Sequence, residues 1–357
     1  MIIRRMVLRR LDLPLTRPYR LAYRTFETFE PFMVEIEDED GRRSVSDAHV
    51  SPGSSAETRD GAWRFLQQRA SAAIGRPVRE AKAEILDHFK TSKVATTALV
   101  TAIEIMENNF HLQIDDNVSL PLLAPVNALD AAGIEQEMES GIARGFATFK
   151  VKVGKDVAAD LLRVEMIRKA VAGRATLRLD ANRAFSRDDA VAFAARLDPE
   201  GIELFEQPCD ADDWAANTAV AEASPVPLML DEPICTLADI RRAGEIPNVG
   251  FCKLKLKRFG GVDRLVTGLR AVRENGMEPV LGDGLGSELH NWLEACAARR
   301  EITNAGEFNG FLKPKERLFR NPMPFEAGEI RLPPGYRPEL DEQKIERATR
   351  EQAVFQA

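Results

Sequence analysis

The stretch Ala147-Thr148-Phe149-Lys150-Val151-Lys152-Val153 combines β-branched and aromatic residues with two lysines and is typical of a β-strand. Residues 158–172 follow it, and their apolar side chains recur at the spacing of an amphipathic helix. The same strand-then-helix pattern is repeated along the chain, with strand candidates at residues 176–180, 202–206, 227–231, 250–255 and 279–283. This alternation predicts parallel strands joined by helical crossovers.

Each of these strands ends with a side chain that can bind a metal or carry a proton. They lie 24 to 28 positions apart: Lys152, Asp180, Glu206, Asp231, Lys255 and Asp283. A barrel of eight strand–helix units uses roughly thirty residues per unit and gathers its strand ends at one mouth. An open doubly wound sheet, the alternative, spreads them along an edge. The regular spacing therefore favours a closed barrel.

Three of these side chains, Asp180, Glu206 and Asp231, are carboxylates on neighbouring strands. Three negative charges at one mouth repel each other unless a cation lies between them. Carboxylate oxygens suit Mg²⁺ or Mn²⁺, which prefer hard ligands. In the alternative interpretation, each carboxylate only caps the helix that follows its strand. Three acids at matching positions favour the metal site.

The lysines flank this set of acids. A free lysine has a pKa of roughly 10.4 and is a poor base, but a nearby cation lowers that pKa. Lys150 and Lys152 point to the same side of their strand because side chains alternate along a strand. Lys255 lies on a strand further along the predicted sheet. The pattern predicts a pair of catalytic lysines, Lys152 and Lys255, rather than surface lysines.

The first 120 residues show strand patterns first and helical patterns afterwards, which predicts an α+β unit. Short strands are expected near residues 6–8, 11–15, 32–36 and 44–46, with helices between residues 56 and 111. Residues 16–31 show no clear periodicity and are interpreted as a loop.

The composition and the apolar pattern argue against nucleic acid and membranes as partners. The 357 residues carry a net charge of −7, which gives no electrostatic reason for binding nucleic acid or an anionic membrane. No apolar run is long enough to span a bilayer, and the N-terminus lacks the apolar core of a signal peptide. The four cysteines are widely spaced, so a reducing cytoplasm is the expected location.

These motifs together resemble the enolase superfamily, in the muconate-lactonizing subgroup of the mandelate racemase/muconate lactonizing enzyme family. The segment Phe149-Lys150-Val151-Lys152-Val153-Gly154 resembles that subgroup's second barrel strand. Asp180-Ala181-Asn182, Glu206-Gln207-Pro208 and Asp231-Glu232-Pro233 resemble its three metal-ligand motifs. Lys255, five residues before Gly260, matches the lysine of its sixth strand, where the mandelate-racemase subgroup has an aspartate.

The resemblance implies a modified TIM barrel, (β/α)7β, over residues 121–325. It also implies a capping α+β domain over residues 1–120, to which residues 326–357 return. Loops of that cap close over the mouth in the family, so residues 19–29 and 51–55 are candidate specificity loops. Family members are frequently dimers or octamers, so a homo-oligomer is expected.

The resemblance also implies a chemistry. Mg²⁺, with Mn²⁺ as a possible substitute, would be held by Asp180, Glu206 and Asp231. Lys152 and Lys255, with Lys150 beside them, would remove and return the proton α to a carboxylate of a small substrate. An enediolate on the metal would be the shared intermediate. The expected enzyme is an isomerase: a racemase, an epimerase or a cycloisomerase.

Several positions depart from the subgroup's pattern. Ser46-Asp47 stands where the cap strand usually has Gly-Glu, and Gly286 stands where the seventh strand often has a glutamate. Glu307-Phe308-Asn309 replaces the Asp-x-Asp with which dipeptide epimerases hold a substrate ammonium. The candidate substrate-binding residues are Tyr23, Arg24, Asn182, Asp283 and Glu307.

Two other functions remain open from the sequence. An acid-sugar or related hydroxy-acid dehydratase, a lyase, would use the same enediolate step and then expel a β-leaving group. A catalytically retired barrel that only binds a metabolite is an alternative of a different class, although a complete set of acids and lysines argues against it.

Overall fold

The computed structural model describes residues 1–20, 24–51 and 57–357. The chain starts with five strands: β1 (Ile3–Leu11), β2 (Leu13–Arg20), β3 (Thr25–Phe29), β4 (Phe32–Asp38) and β5 (Arg43–Ala48). Three helices follow: α1 (Arg59–Ala73), α2 (Val78–Asp87) and α3 (Lys93–Met106). The predicted order of strands and then helices is confirmed. Helix α3 is buried along most of its length and packs on β4 and β5, and its apolar side chains belong to a hydrophobic core of this unit's own.

Residues 16–31 are not the loop that the sequence predicted. Strands β2 and β3 pair antiparallel, with Leu13 opposite Phe29 and Tyr19 opposite Phe26. The register shifts between Pro14 and Tyr19, and this irregularity removes the strict alternation by which a strand is recognised. The buried side chains of the hairpin pack against the larger hydrophobic core rather than against the core beneath α3.

The middle of the chain alternates strands and helices. Its strands are β6 (Val118–Pro121), β7 (Ala124–Val126), β8 (Thr148–Lys152), β9 (Thr176–Asp180), β10 (Ile202–Glu206), β11 (Leu228–Leu230), β12 (Val249–Leu254) and β13 (Glu278–Leu281). Its helices are α4 (Ala131–Ala143), α5 (Val157–Val171), α6 (Arg187–Ala194), α7 (Trp214–Ala223), α8 (Leu237–Gly244), α9 (Leu256–Phe259), α10 (Val262–Glu274) and α11 (Glu288–Ala298). Strands β7 to β13 form one sheet in chain order, and each pair of adjacent strands in it is parallel.

A very short eighth strand closes this sheet. The N–H of Glu307 donates to the carbonyl of Leu281 (2.9 Å), beside β13. On its other side, Gly306 donates to Pro121 (2.8 Å) and accepts from Leu123 (3.1 Å). Two consecutive residues, Gly306 and Glu307, therefore join the β13 edge of the sheet to the segment that leads into β7. The predicted modified TIM barrel is confirmed.

The end of the chain returns to the first sheet. It contains β14 (Phe325–Glu326), β15 (Glu329–Leu332), α12 (Glu342–Ala348) and β16 (Thr349–Gln356). Strand β15 pairs with β6, and β16 pairs with β1 at the edge of the sheet β16-β1-β4-β5. The domain bounds given above stay a prediction. In the part of the chain described, no helix is both long and apolar enough to cross a membrane.

The barrel interior has an apolar layer beneath a charged one. Leu204, Met229 and Val280 are fully buried and pack together. Glu206 and Asp231 lie two residues further along the same chain segments, so their side chains face the same interior. Any charged group in the upper layer is therefore shielded from water on the side that faces the core.

Candidate active site

The three predicted metal-binding acids meet at the mouth of the barrel. Asp180 and Glu206 end β9 and β10 and are paired directly in register. Asp231 follows the last residue of β11. All three side chains are buried. Parallel strands in register bring their carboxyl ends to one place, so residues 26 and 25 positions apart in sequence become neighbours.

Lys150 lies beneath these acids, deeper in the barrel than Lys152. Its Nζ is 2.8 Å from Oδ2 of Asp180 and 2.6 Å from Oε2 of Glu206, and it also donates to Glu307. Burial lowers the pKa of Lys150, but the three carboxylates outweigh burial and hold that pKa well above its usual value. Lys150 is therefore a permanently charged link between the acids.

Lys253 makes a second link that the sequence analysis missed. Its Nζ donates to Oε1 of Glu206 (2.9 Å) and to Glu307, and it lies 3.7 Å from Oδ2 of Asp231. One signal was present in the sequence, since Lys253-x-Lys255 repeats the spacing of Lys150-x-Lys152.

The two predicted catalytic lysines lie at opposite ends of the row of acids. Lys152, at the end of β8, has its Nζ 2.5 Å from Oδ2 of Asp180. Lys255, directly after β12, has its Nζ 2.9 Å from Oδ2 of Asp231. Strands β8 and β12 are four positions apart in the sheet order, which in a barrel of eight strands places them across the mouth from each other.

Burial and charge set the protonation of the acids. Burial and the charge of Asp180 raise the pKa of Glu206 to about 7. For Asp231, burial is outweighed by Lys255 and Arg258, which hold its pKa well below the usual range. For Glu307, Lys150 and Lys253 outweigh burial and lower the pKa to about 2. Lysine and arginine side chains thus offset the repulsion at Asp231 and Glu307, whereas burial and the charge of Asp180 prevail at Glu206.

The acids have the right chemistry for Mg²⁺, but lysines fill the space between them. No three His, Cys, Asp or Glu side chains of residues 1–20, 24–51 and 57–357 are arranged to hold a metal ion. Asp180, Glu206 and Asp231 nevertheless supply three buried carboxylates on adjacent strands, and hard oxygen donors of this kind fit Mg²⁺. Their role as metal ligands stays a prediction.

Three of the five predicted substrate-binding residues lie at the cavity. Asn182 follows β9 and accepts a hydrogen bond from Lys152, with its own backbone in the left-handed region (φ 45°). Asp283 is buried and paired with Lys257. Glu307 lies between Lys150 and Lys253. Asn182, Asp283 and Glu307 all line the cavity at the mouth of the barrel.

The remaining two predicted residues are Arg24 and Tyr23. The exposed Arg24 lies over the ring of Phe26, 5.1 Å from its centre, and is not among the residues that line the cavity. Tyr23 lies outside the described residues, as do residues 52–55 of the second candidate loop. The sequence contains no pattern from which the direction of an exposed arginine side chain such as Arg24 can be predicted.

A cavity of about 190 Å³ opens above the acids. It is lined by barrel residues and by Tyr19 of the β2–β3 hairpin, whose ring lies over the ammonium of Lys313 at 4.5 Å. Lys313 donates to Oδ1 of Asn309 (2.6 Å) and to the carbonyl of Gly284 (2.7 Å). No motif marks Lys313, which follows the eighth strand, so sequence analysis did not single it out.

Comparisons with known proteins agree with this architecture. Residues 133–344 match the family model described as "Enolase C-terminal domain-like". L-Ala-D/L-Glu epimerase of Bacillus subtilis is 27% identical over 344 residues, which is 91% of this chain and 92% of that protein.

Solved structures share the fold along the whole chain. A dipeptide epimerase from Cytophaga hutchinsonii, complexed with Mg and a dipeptide, has a TM-score of 0.89 at 20% identity and covers 99% of this chain and 100% of its own. Muconate lactonizing enzyme from Pseudomonas putida has a TM-score of 0.85 at 22% identity, with 98% and 100% covered. The chain therefore belongs to the enolase superfamily, in the family of the mandelate racemases and muconate lactonizing enzymes.

Proposed function

We propose that this protein is a Mg²⁺-dependent isomerase that removes and returns the proton α to a substrate carboxylate. The observation that carries the proposal is the placement of Lys152 and Lys255 at opposite ends of the row of acids. An amine on each face of a bound substrate is what inversion at a carbon requires, because the proton leaves from one face and returns on the other. Racemisation, epimerisation and cycloisomerisation all fit this arrangement.

The metal would be held by Asp180, Glu206 and Asp231. When bound, Mg²⁺ would supply the positive charge that offsets the negative charge gained by the substrate carboxylate as the proton leaves. A compact acid would fit the cavity of about 190 Å³ above these carboxylates.

The lysines supply the proton transfer. Burial lowers the pKa of Lys255 below 10.5, and the charge of Arg258 lowers it further, against the opposing charge of Asp231. A lower pKa leaves more of the neutral amine at a given pH, and the neutral amine is the base. Lys150 keeps its charge, so its part is to hold the carboxylates of Asp180 and Glu206 in place.

The proposal is tested by proton exchange in D₂O. The enzyme with Mg²⁺ is offered a panel of small carboxylic acids as separate enantiomers, and deuterium at the α-carbon is followed by NMR. The wild type should exchange and invert an acid that it accepts. Lys152→Ala should lose exchange from one enantiomer and Lys255→Ala from the other. Lys169→Ala, at an exposed position on α5, is the control and should behave as the wild type.

Other outcomes would point elsewhere. Formation of a 2-keto product would assign the protein to the dehydratases. Binding of an acid without any exchange would indicate a retired barrel. Full activity in both lysine variants would refute the two-base scheme.

A further inference from the structure

Lys253 is a buried lysine that is surrounded by acids at the base of the site. Only 4% of its surface is exposed. Its ammonium contacts three carboxylates at once, those of Glu206, Glu307 and Asp231. Two of these acids, Glu206 and Asp231, belong to the proposed metal-binding set. A cation at this position competes with a metal ion for the same negative charge.

The barrel leaves room for this side chain. Gly282 follows β13, and a Cβ atom at that position would lie 2.6 Å from Cε of Lys253 and 3.3 Å from Cβ of Glu307. Contacts below 3.0 Å are sterically forbidden, so any side chain at position 282 would displace the lysine. The absence of a side chain at position 282 therefore allows Lys253 to reach the acids.

Side-chain cations offset the negative charge of the acids at the mouth. Four carboxylates come together there: Asp180, Glu206, Asp231 and Glu307. Five cations contact them: Lys150, Lys152, Lys253, Lys255 and Arg258. Glu206 is held on both oxygens, by Lys150 on Oε2 and by Lys253 on Oε1. A divalent ion binds most tightly where negative charge is uncompensated, so every buried ammonium in this cluster weakens its binding.

We propose that Lys253 is a built-in counter-cation, a positioning residue that fixes Glu206 and Glu307 in the metal-free protein and weakens the binding of a divalent cation. The inference rests on the proposed function, since it needs the acids to be metal ligands. It assigns Lys253 a role distinct from that of the two proposed bases, because the residue lies below the row of acids rather than at either end.

The test is the affinity for Mg²⁺ alone, measured by isothermal titration calorimetry on the full chain. Lys253→Met keeps the length of the side chain and removes its charge. We expect Mg²⁺ to bind this variant at least about tenfold more tightly than the wild type, because one unit of nearby positive charge is removed. Lys344→Met, a half-buried lysine of α12 that donates to the carbonyl of Arg317, is the matched control and should bind as the wild type.

Thermal unfolding in EDTA gives a second readout. Without metal, Lys253→Met should melt at a lower temperature than the wild type, because Glu206 and Glu307 lose a shared partner. Saturating Mg²⁺ should then raise its melting temperature by more than it raises that of the wild type. If Lys253→Met does not fold, Gly282→Ala displaces the ammonium while keeping the lysine, and the same gain in affinity is expected.

The outcomes separate the two proposals. If the wild type and the Lys253→Met variant bind Mg²⁺ with equal affinity, or the variant binds more weakly, the counter-cation role is refuted while the metal site stands. If neither binds Mg²⁺, the metal site itself is refuted, and this inference with it.

Discussion

The Nζ atom of Lys255 lies 2.9 Å from Oδ2 of Asp231, and the guanidinium of Arg258 contacts the other oxygen of the same carboxylate at 2.8 Å. The Asp231 carboxylate thus pairs with both Lys255 and Arg258. The charge of Arg258 lowers the pKa of Lys255, whereas that of Asp231 raises it. Arg258 lies three residues beyond Lys255, in α9. Its charge therefore influences the pKa of the proposed base.

The first prediction is a shift in the pH dependence of proton exchange. Arg258→Met removes a charge that lowers the pKa of Lys255, so that pKa rises and less neutral amine is present at a given pH. The alkaline-rising limb for the enantiomer deprotonated by Lys255 should move up by about one pH unit. Exchange rates between pH 6 and 10 measure it. Arg264→Met, at an exposed position on α10, should leave the limb in place, and an unmoved limb in Arg258→Met would contradict the prediction.

The second prediction concerns stability. Asp47 is completely buried, and burial raises its pKa from 3.8 to about 7. A raised pKa means that the folded state binds a proton more tightly than the unfolded state. This residue therefore costs stability as the pH rises from about 4 to about 7, and the whole cost is present above pH 7.

Asp47→Asn removes that cost. We expect the free energy of unfolding at pH 8 to rise by up to roughly 4 kcal/mol, with little change at pH 4.5. Urea unfolding at the two pH values measures the difference. Asp116→Asn, at an exposed position, should change neither value. An equal effect at both pH values would show that the gain does not come from the ionisation of Asp47.

The third prediction concerns the metal. Treatment with EDTA should abolish proton exchange, and added Mg²⁺ should restore it. Asp180→Asn removes a carboxylate charge from the proposed ligand set, and we expect at least about tenfold weaker binding of Mg²⁺ by calorimetry. Asp116→Asn again serves as the control. Unchanged affinity in Asp180→Asn would remove that residue from the ligand set.

The fourth prediction concerns the cap. A Cβ atom at Gly284 would lie 2.8 Å from the hydroxyl of Tyr19 and 3.4 Å from Oδ1 of Asn309. Gly284→Ala should therefore push the β2–β3 hairpin away from the cavity wall. We expect KM for an accepted acid to rise about tenfold with a smaller change in kcat, because Tyr19 lines the substrate cavity whereas the two proposed bases belong to β8 and to the segment after β12. A loss confined to kcat would mean that Gly284 acts on the chemistry itself.

Much of the barrel could be predicted because its information is local. Each strand is a short apolar run, and each ends in a polar residue at a regular interval. Parallel strands bring such ends together whatever the details of packing. Asp180, Glu206, Asp231, Lys152 and Lys255 were therefore predicted from their residue types and their spacing at the strand ends, and the structure brings all five together at one mouth.

What the sequence could not give depends on contacts between distant segments. The eighth strand consists of two residues that are recognisable only by their bonds to Leu281 and Pro121, so Glu307 could not be placed between Lys150 and Lys253 in advance. A register shift obscured the hairpin that carries Tyr19, and Arg24 does not line the cavity. The alternation of apolar and polar residues along a strand predicts which face of the sheet each side chain is on. Only the folded chain decides which charges the side chain meets there, because those charges come from distant segments: Glu206 and Glu307 lie 47 and 54 residues from Lys253.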